Sequence, residues 1–298
     1  MQIFVTGCAS FIGRELLRQC KHEGIHVTGV DLVNTEFPGC AVADIRSPAI
    51  GDHIPQNVDA IVHLAALSRD PDCRDKAYQC FDVNVMGTLN LMEAAKAKGA
   101  KQFIFASSEW VYDRFEAGIP KTEDDVIDIS RLTSEYALSK LVSEANLRQK
   151  YRHGFCPVTI LRFGIIYGPR AGNWSAVESL LHAVATQDEV TVGSLGTGRR
   201  FIHVSDIAAA VRASIGLSGF EIINIQGRET VTLRDIIEKA KKLLGRNPSV
   251  SEKDSSQVSL RNVSDQKART LLDWQAAIGL EDGLKSVLDF MGRQAVRH

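Results

Sequence analysis

The feature that most constrains the fold is an alternation of short apolar or β-branched runs with longer amphipathic stretches. The runs lie at residues 3–6, 27–30, 60–64, 102–106 and 158–163, and the stretches at 11–23, 73–98 and 130–152. Runs that are apolar throughout, rather than at every second position, suit a sheet covered on both faces. Helices between consecutive strands make that sheet parallel. Right-handed crossovers then predict an α/β architecture with a doubly wound Rossmann-type parallel sheet.

After about residue 164 the pattern loosens. Gly168-Pro169-Arg170-Ala171-Gly172 reads as a loop, followed by a helix near 174–186 and a Gly/Arg-rich turn at 193–200. A strand and helix are expected over 201–216, a last strand at 221–225, and helices at 232–244 and near 281–292. Residues 249–257 are polar and read as an exposed loop. The expected division is a dinucleotide-binding domain over 1–164 plus about 201–225. A smaller C-terminal substrate-binding lobe would take about 165–200 plus 226–298.

The first strand enters a glycine-marked turn, Thr6-Gly7-Cys8-Ala9-Ser10-Phe11-Ile12-Gly13. Gly7 permits a tight turn and Gly13 a close helix–sheet approach, which would set a pyrophosphate at the helix N-terminus beside Ser10, Phe11 and Ile12. Ser10 stands where a middle glycine is usual, so this turn alone is a modest signal. Asp31 strengthens it. It ends the second run about 20 residues beyond the glycines, where a carboxylate accepts from adenosine ribose hydroxyls and repels a 2′-phosphate. NAD is therefore expected over NADP. Asp44 and Ile45 follow a short third strand and are candidates to touch the adenine, although an ordinary loop aspartate reads almost the same.

Ser108 follows the apolar run 103–106, and Tyr136 and Lys140 lie four apart in a helical stretch, on one face. A cation beside a phenol favours phenolate, so Lys140 is expected to lower the Tyr136 pKa and make it a general acid and base. Ser108 would align the reacting oxygen. In isolation, the pair would read as a surface tyrosine and a solvated lysine.

With these motifs in order, the chain resembles the extended short-chain dehydrogenase/reductases, in their NAD-dependent nucleotide-sugar epimerase/dehydratase branch. The likeness runs through Gly7 and Gly13, Asp31, His63-Leu64-Ala65-Ala66, Asn84-Val85-Met86-Gly87-Thr88, Ser107-Ser108, Val111-Tyr112, Tyr136 and Lys140. It continues through Leu161-Arg162-Phe163, Tyr167-Gly168-Pro169-Arg170, Phe201 to Asp206, and Asp265 to Trp274. The resemblance implies that Leu64, Ala65 and Ala66 line the cofactor and that Asn84 supports that wall. His63 and His203 are expected to be structural.

Departures narrow the reaction. Relatives that dehydrate sugars carry an acidic pair after the serine; here Glu109 is followed by Trp110, which disfavours 4,6-dehydration. Glu109 and Trp110 are substrate candidates, with a rim carboxylate and a packed loop tryptophan as the bland readings. Ile165 replaces a substrate-binding asparagine and Asp113 a glycine. Arg170, Arg199 (or Arg200) and Arg261 are candidates for substrate, the last two for the diphosphate, because guanidinium forks match phosphate oxygens.

The expected activity is an NAD-dependent epimerase acting at C4 of a nucleotide-diphosphate sugar. A ketoreductase or dehydrogenase of the same branch, and a non-catalytic NAD-binding sensor or scaffold, are the alternatives. With 35 basic and 36 acidic residues, the net charge of −1 offers no field for nucleic acid or anionic membrane. Six cysteines without CxxC or metal-ligand spacing suit reduced thiols in a cytoplasmic protein and no metal. The first strand begins near residue 2, so no signal peptide is expected. Helices over about 85–98 and 130–150, with Leu141, Ala145 and Leu147, would form a homodimer.

Overall fold

Five residues, β1 (Gln2–Thr6), lie at the centre of the architecture. A computed structural model describes residues 1–112, 114–116, 118–292 and the backbone of 293–295. Ile3, Phe4 and Val5 are fully buried, so both faces of β1 are covered, as a wholly apolar strand requires. Helix α1 (Phe11–His22) returns the chain to β2 (His26–Asp31) and then β3 (Cys40–Val42) at one edge. On the other side of β1 come β4 (Ala60–His63), β5 (Phe103–Ser108), β6 (Val158–Phe163) and β11 (Phe220–Ile225). All six pairings in this sheet are parallel, in the order β11-β6-β5-β4-β1-β2-β3. Strand order reverses at β1 and β4, and ligands of doubly wound sheets bind in the crevice at such a switch point.

The stretch expected as one helix over 73–98 is broken. Its pieces are α2 (Asp70–Cys73), α3 (Ala77–Phe81), a π-helical turn at Asp82–Met86 and α4 (Gly87–Ala97). Asp75 adopts a left-handed backbone, φ 58°, which separates the first two. Helix α5 (Glu135–Arg152) starts at Ser134, whose hydroxyl accepts from the Ala137 N–H, later than the stretch at 130 suggested.

The remaining elements build a second core. They are β7 (Ile166–Tyr167), α6 (Ala176–Thr186), β8 (Glu189–Val192), β9 (Gly198–Arg199), β10 (Ile202–His203) and α7 (Val204–Ala213), with β12 (Val231–Thr232), α8 (Leu233–Leu244), β13 (Ser249–Glu252), α9 (Gln266–Leu272) and α10 (Leu280–Ala295) after β11. Val177, Leu181, Val184, Ile236, Ile237 and Leu284 centre this core, which brings α6, α8 and α10 together. Helix α7 instead packs on α1, and Ala268, Trp274 and Ala276 join the sheet's core although they follow residue 226. The loop expected over 249–257 is corrected at its start: Ser249–Glu252 pairs in parallel with β8. Backbone hydrogen bonds hold that strand, and with one apolar side chain, Val250, it shows little hydrophobic pattern.

Candidate active site

The chain leaves β1 through Gly7 at φ 75°, a left-handed conformation natural to glycine. A Cβ there would come within 2.8 Å of the Ala65 nitrogen, and one at Gly13 within 2.2 Å of the Gly7 carbonyl oxygen. Ser10 has extended backbone, and its hydroxyl accepts from the Gly13 N–H at 3.1 Å. It is therefore the N-cap of α1, which is why the middle glycine is dispensable here. The Phe11 and Ile12 N–H groups find no protein acceptor among the described residues, so the helix terminus keeps two donors for an anion. Asp31 accepts from the Ala9 N–H at 2.9 Å and the Val33 N–H at 3.2 Å, which fixes its carboxylate beside this turn. Donors at the helix start and a carboxylate at the end of β2 together fit a dinucleotide.

Across the crevice, the Ala65 N–H donates to the Thr6 hydroxyl, setting the 64–66 segment over the turn. Asn84, buried in the π-helical turn, clamps the next residue. Its carbonyl accepts from the Leu67 N–H at 2.8 Å, while its amide donates to the Leu67 carbonyl and to the Ser139 hydroxyl. Thus Asn84 ties this wall to α5. His63 lies between the Thr6 and Thr88 hydroxyls at 2.7 and 2.9 Å, and burial pushes its pKa down to about 3. A neutral, doubly bonded imidazole is structural. His203 caps α7 through the Ser205 N–H and meets the Ser286 hydroxyl, likewise a structural role.

Asp44 and Ile45, the adenine candidates, follow β3 and have protein partners of their own. Asp44 is gripped by Arg46 at 2.6 Å, which lowers its pKa, and Arg46 also pairs with Asp82. Ile45 is buried against Gly87, where a Cβ would approach its side chain to 2.7 Å.

Ser108 is the last residue of β5, and its hydroxyl accepts from the Trp110 N–H at 3.3 Å. Tyr136 and Lys140, on the first turns of α5, are both buried. The Lys140 ammonium donates to the Ala106 carbonyl at 2.8 Å and lies 5.9 Å from the Tyr136 ring centroid. Ser108 stands close enough to the phenol to favour its ionised form, without a hydrogen bond of full geometry. The expected lowering of the Tyr136 pKa by Lys140 is not what the geometry gives. Burial dominates and pushes the phenol up to about 12, beside the thiols of Cys73 and Cys80. Burial also pulls Lys140 down to about 8, against the opposing pull of Cys80, Cys73 and Glu144.

A buried network that the sequence reading missed underlies this trio. Glu144, one turn beyond Lys140, pairs with Arg162 of β6 at 2.7 Å and accepts from the Ser107 hydroxyl. Arg162 also donates to the Tyr112 hydroxyl at 3.1 Å, which in turn donates to the Asn224 carbonyl at 2.8 Å. The link spans α5, β5, β6 and β11, so it fixes the helix that carries Tyr136 against the strand that ends in Ser108.

The arginines divide into two kinds. Arg170 is tied to Glu178 at 2.7 Å and to the Ile166 carbonyl, and stacks on Phe11, bracing the lobe to α1. Arg200 is spent on Asp265 at 3.0 Å and on the Gly227 and Val263 carbonyls. Arg199 donates only to Gly198 and Ser259, while Arg261 stacks over Trp110 and Phe115, 5.1 and 5.4 Å from their ring centroids. Neither pairs with a carboxylate at contact distance among the described residues. Ile165 packs against the second core, and Asp113 lies outside the described residues.

Comparison with known proteins finds relatives along nearly the whole chain. A UDP-glucuronate 4-epimerase from Thermodesulfobacterium geofontis is 27% identical over 312 residues, covering 96% of this chain and 94% of that protein. The structure of MoeE5 in complex with UDP-glucose and NAD superposes with a TM-score of 0.87 at 26% identity, covering 99% of this chain and all of that one. A tyrosine-to-phenylalanine variant of a UDP-glucuronic acid 4-epimerase from Bacillus cereus, in complex with a fluorinated UDP-sugar and NAD, matches at TM-score 0.83 and 26% identity over 99% of this chain and all of that one. The family model described as the NAD dependent epimerase/dehydratase family matches residues 3–225, so the chain belongs to that family.

Proposed function

We propose that the chain is an NAD-dependent nucleotide-sugar epimerase acting at C4, through transient oxidation to a keto-sugar and re-reduction from the opposite face. The observation that carries the reading is the convergence of Ser108, Tyr136 and Lys140 at the carboxyl end of β5, beside the cradle formed by Gly7, Gly13 and Asp31. Gly7, Ser10, Phe11, Ile12 and Gly13 would hold the pyrophosphate, Asp31 the adenosine ribose, and Leu64 to Ala66 the wall supported by Asn84. NAD, when bound, accepts and returns the hydride.

The chain's own residues manage the proton. Tyr136 takes it from the sugar hydroxyl and gives it back, with Ser108 aligning the same oxygen. A phenol near 12 stays protonated at neutral pH, so taking the sugar's proton in the first half-reaction requires the Lys140 charge to favour phenolate. Arg199 and Arg261 are the diphosphate candidates with guanidinium capacity to spare; Arg170, already braced, holds the lobe over the cofactor side.

The sheet domain would be residues 1–164 plus about 201–225, and the substrate lobe the rest. A homodimer through α4 and α5 is part of the proposal: Ala145 is exposed there, while Leu147 is fully buried in the sheet's own core. Sedimentation showing only monomer at micromolar concentration would remove the dimer. A cytoplasmic location fits six free cysteines. No helix among the described residues is long and apolar enough to cross a membrane.

The test is to add nucleotide sugars to purified protein and follow reduced-nicotinamide absorbance together with the sugar product. Retained cofactor, transient reduction and a C4-inverted product support the epimerase. Stoichiometric cofactor release would transfer the assignment to a reductase, and NAD binding without hydride exchange to a sensor.

A further inference from the structure

Buried polar side-chain atoms without partners are costly, so a cluster of them points to a group that the protein alone does not supply. Among the described residues there are six such atoms, and four belong to Glu109, Asn224 and Gln226. Glu109 follows Ser108 at the exit of β5. Asn224 and Gln226 lie two apart at the exit of β11, hence on one face. Between these exits β6 gives way to Gly164, where a Cβ would fall 2.6 Å from the Gln226 amide oxygen. The missing side chain at Gly164 thus makes room for the Gln226 carboxamide. Glu109 is only 2% exposed and Gln226 is wholly buried.

The charges around Glu109 are unbalanced. Arg261, Arg199 and Arg200 face it, and Gln226 lies beside it. Arg200 is neutralised by Asp265. That leaves Glu109 as the acid shared by Arg199 and Arg261, the two guanidiniums read above as diphosphate contacts. Helix α5 packs on the same turn and contributes Tyr136 and Lys140, and Glu123 accepts from the Asn224 N–H at 2.7 Å.

We propose that Glu109 is a substrate-facing carboxyl that takes up a proton from solvent when a nucleotide diphosphate occupies Arg199 and Arg261, and then donates as a neutral acid to an oxygen of the sugar held at Ser108. The inference rests on the nucleotide-sugar reading and deepens it. Without diphosphate, the arginines offset the burial of a carboxylate. Phosphate oxygens then take over both guanidiniums and bring negative charge close by, so burial favours the neutral form. Burial already raises Glu109 to about 7 against the pull of Arg261, Arg199, Gln226 and Arg200, which sets this exchange near neutral pH. The one bond formed is an O–H on Glu109, its proton released by a buffer acid; toward the sugar oxygen the neutral carboxyl donates a hydrogen bond, and no other bond changes.

Calorimetric titration of the NAD-loaded chain with UDP-glucose, in two buffers of different ionisation enthalpy near pH ~8, measures the protons taken up. The diphosphate of UDP-glucose has no group titrating there. The expected result is uptake of about half a proton or more per site, abolished in Glu109→Gln. Binding with no uptake overturns the inference and leaves the epimerase reading intact. Equal uptake in Glu109→Gln also overturns it, since the proton then belongs to a group such as Lys140. If UDP-glucose, dTDP-glucose and GDP-mannose all fail to bind, both readings fall. Should the variant not fold, wild-type affinity decides: it weakens by up to about tenfold per pH unit above about 7, and a pH-independent affinity refutes the proposal.

Discussion

Two buried polar clusters lie on either side of Ser108, and they differ in how far the protein satisfies them. On the helix side, Glu144, Arg162, Ser107 and Tyr112 are bonded to one another with little capacity unspent. On the lobe side, Glu109 and Gln226 bury oxygens and a nitrogen that no described residue meets. Asn224 stands on the border: its carbonyl accepts from Tyr112, while its amide nitrogen has no partner. A closed network rigidifies and positions, whereas an open one leaves bonding capacity for a ligand. Charge in the core therefore has two meanings here, and only the count of partners separates them.

The comparison is broken most severely at the phenol between the clusters. Tyr136→Phe keeps the packing and removes the acid, so kcat should fall by roughly 10²–10⁴-fold with the fold intact by circular dichroism. Retained turnover would mean that the proton travels elsewhere. Next is the closed cluster. Arg162→Met leaves the Glu144 carboxylate buried without its partner and should cost about 3–5 kcal/mol in urea unfolding. A loss below about 1 kcal/mol would show the network to be water-filled rather than closed.

Lys140 gives a smaller, pH-dependent effect. Its pKa is depressed to about 8, so it is charged below that pH and loses its charge as pH rises through it. If Tyr136 depends on that charge, kcat declines above about pH 8, approaching about tenfold per unit. A flat profile to pH ~10 would uncouple the two residues. The smallest effect is expected far from either cluster. Arg74 pairs with Asp70 on an exposed surface, and Arg74→Ala should leave the midpoint of urea unfolding unchanged within error; a clear shift would give this exposed pair a structural role.

Some of this was legible from residue order. The strand–helix alternation marked every strand of the main sheet beyond the short β3, whose place before Asp44 was also expected. Gly7, Gly13, Asp31, Ser108, Tyr136 and Lys140 stood out by spacing. The break at Asp75 did not, because one residue in a left-handed conformation leaves the hydrophobic period on either side unchanged. Gln226 carried a faint signal, a large amide after a last strand, but its meaning depends on Gly164, which is 62 positions away at the exit of the neighbouring strand.

What the amino-acid order determined alone was local: which segments are strands or helices, where glycine must turn the chain, and which reactive groups share a helix face. Hydrophobic period and backbone stereochemistry are properties of neighbours in sequence, so they survive without coordinates. The tertiary structure decided which arginines were already spent, that burial outweighs Lys140 at the Tyr136 phenol, and that Glu109 is surrounded by guanidiniums. Desolvation and charge pairing depend on groups far apart in the chain, and only packing brings those together.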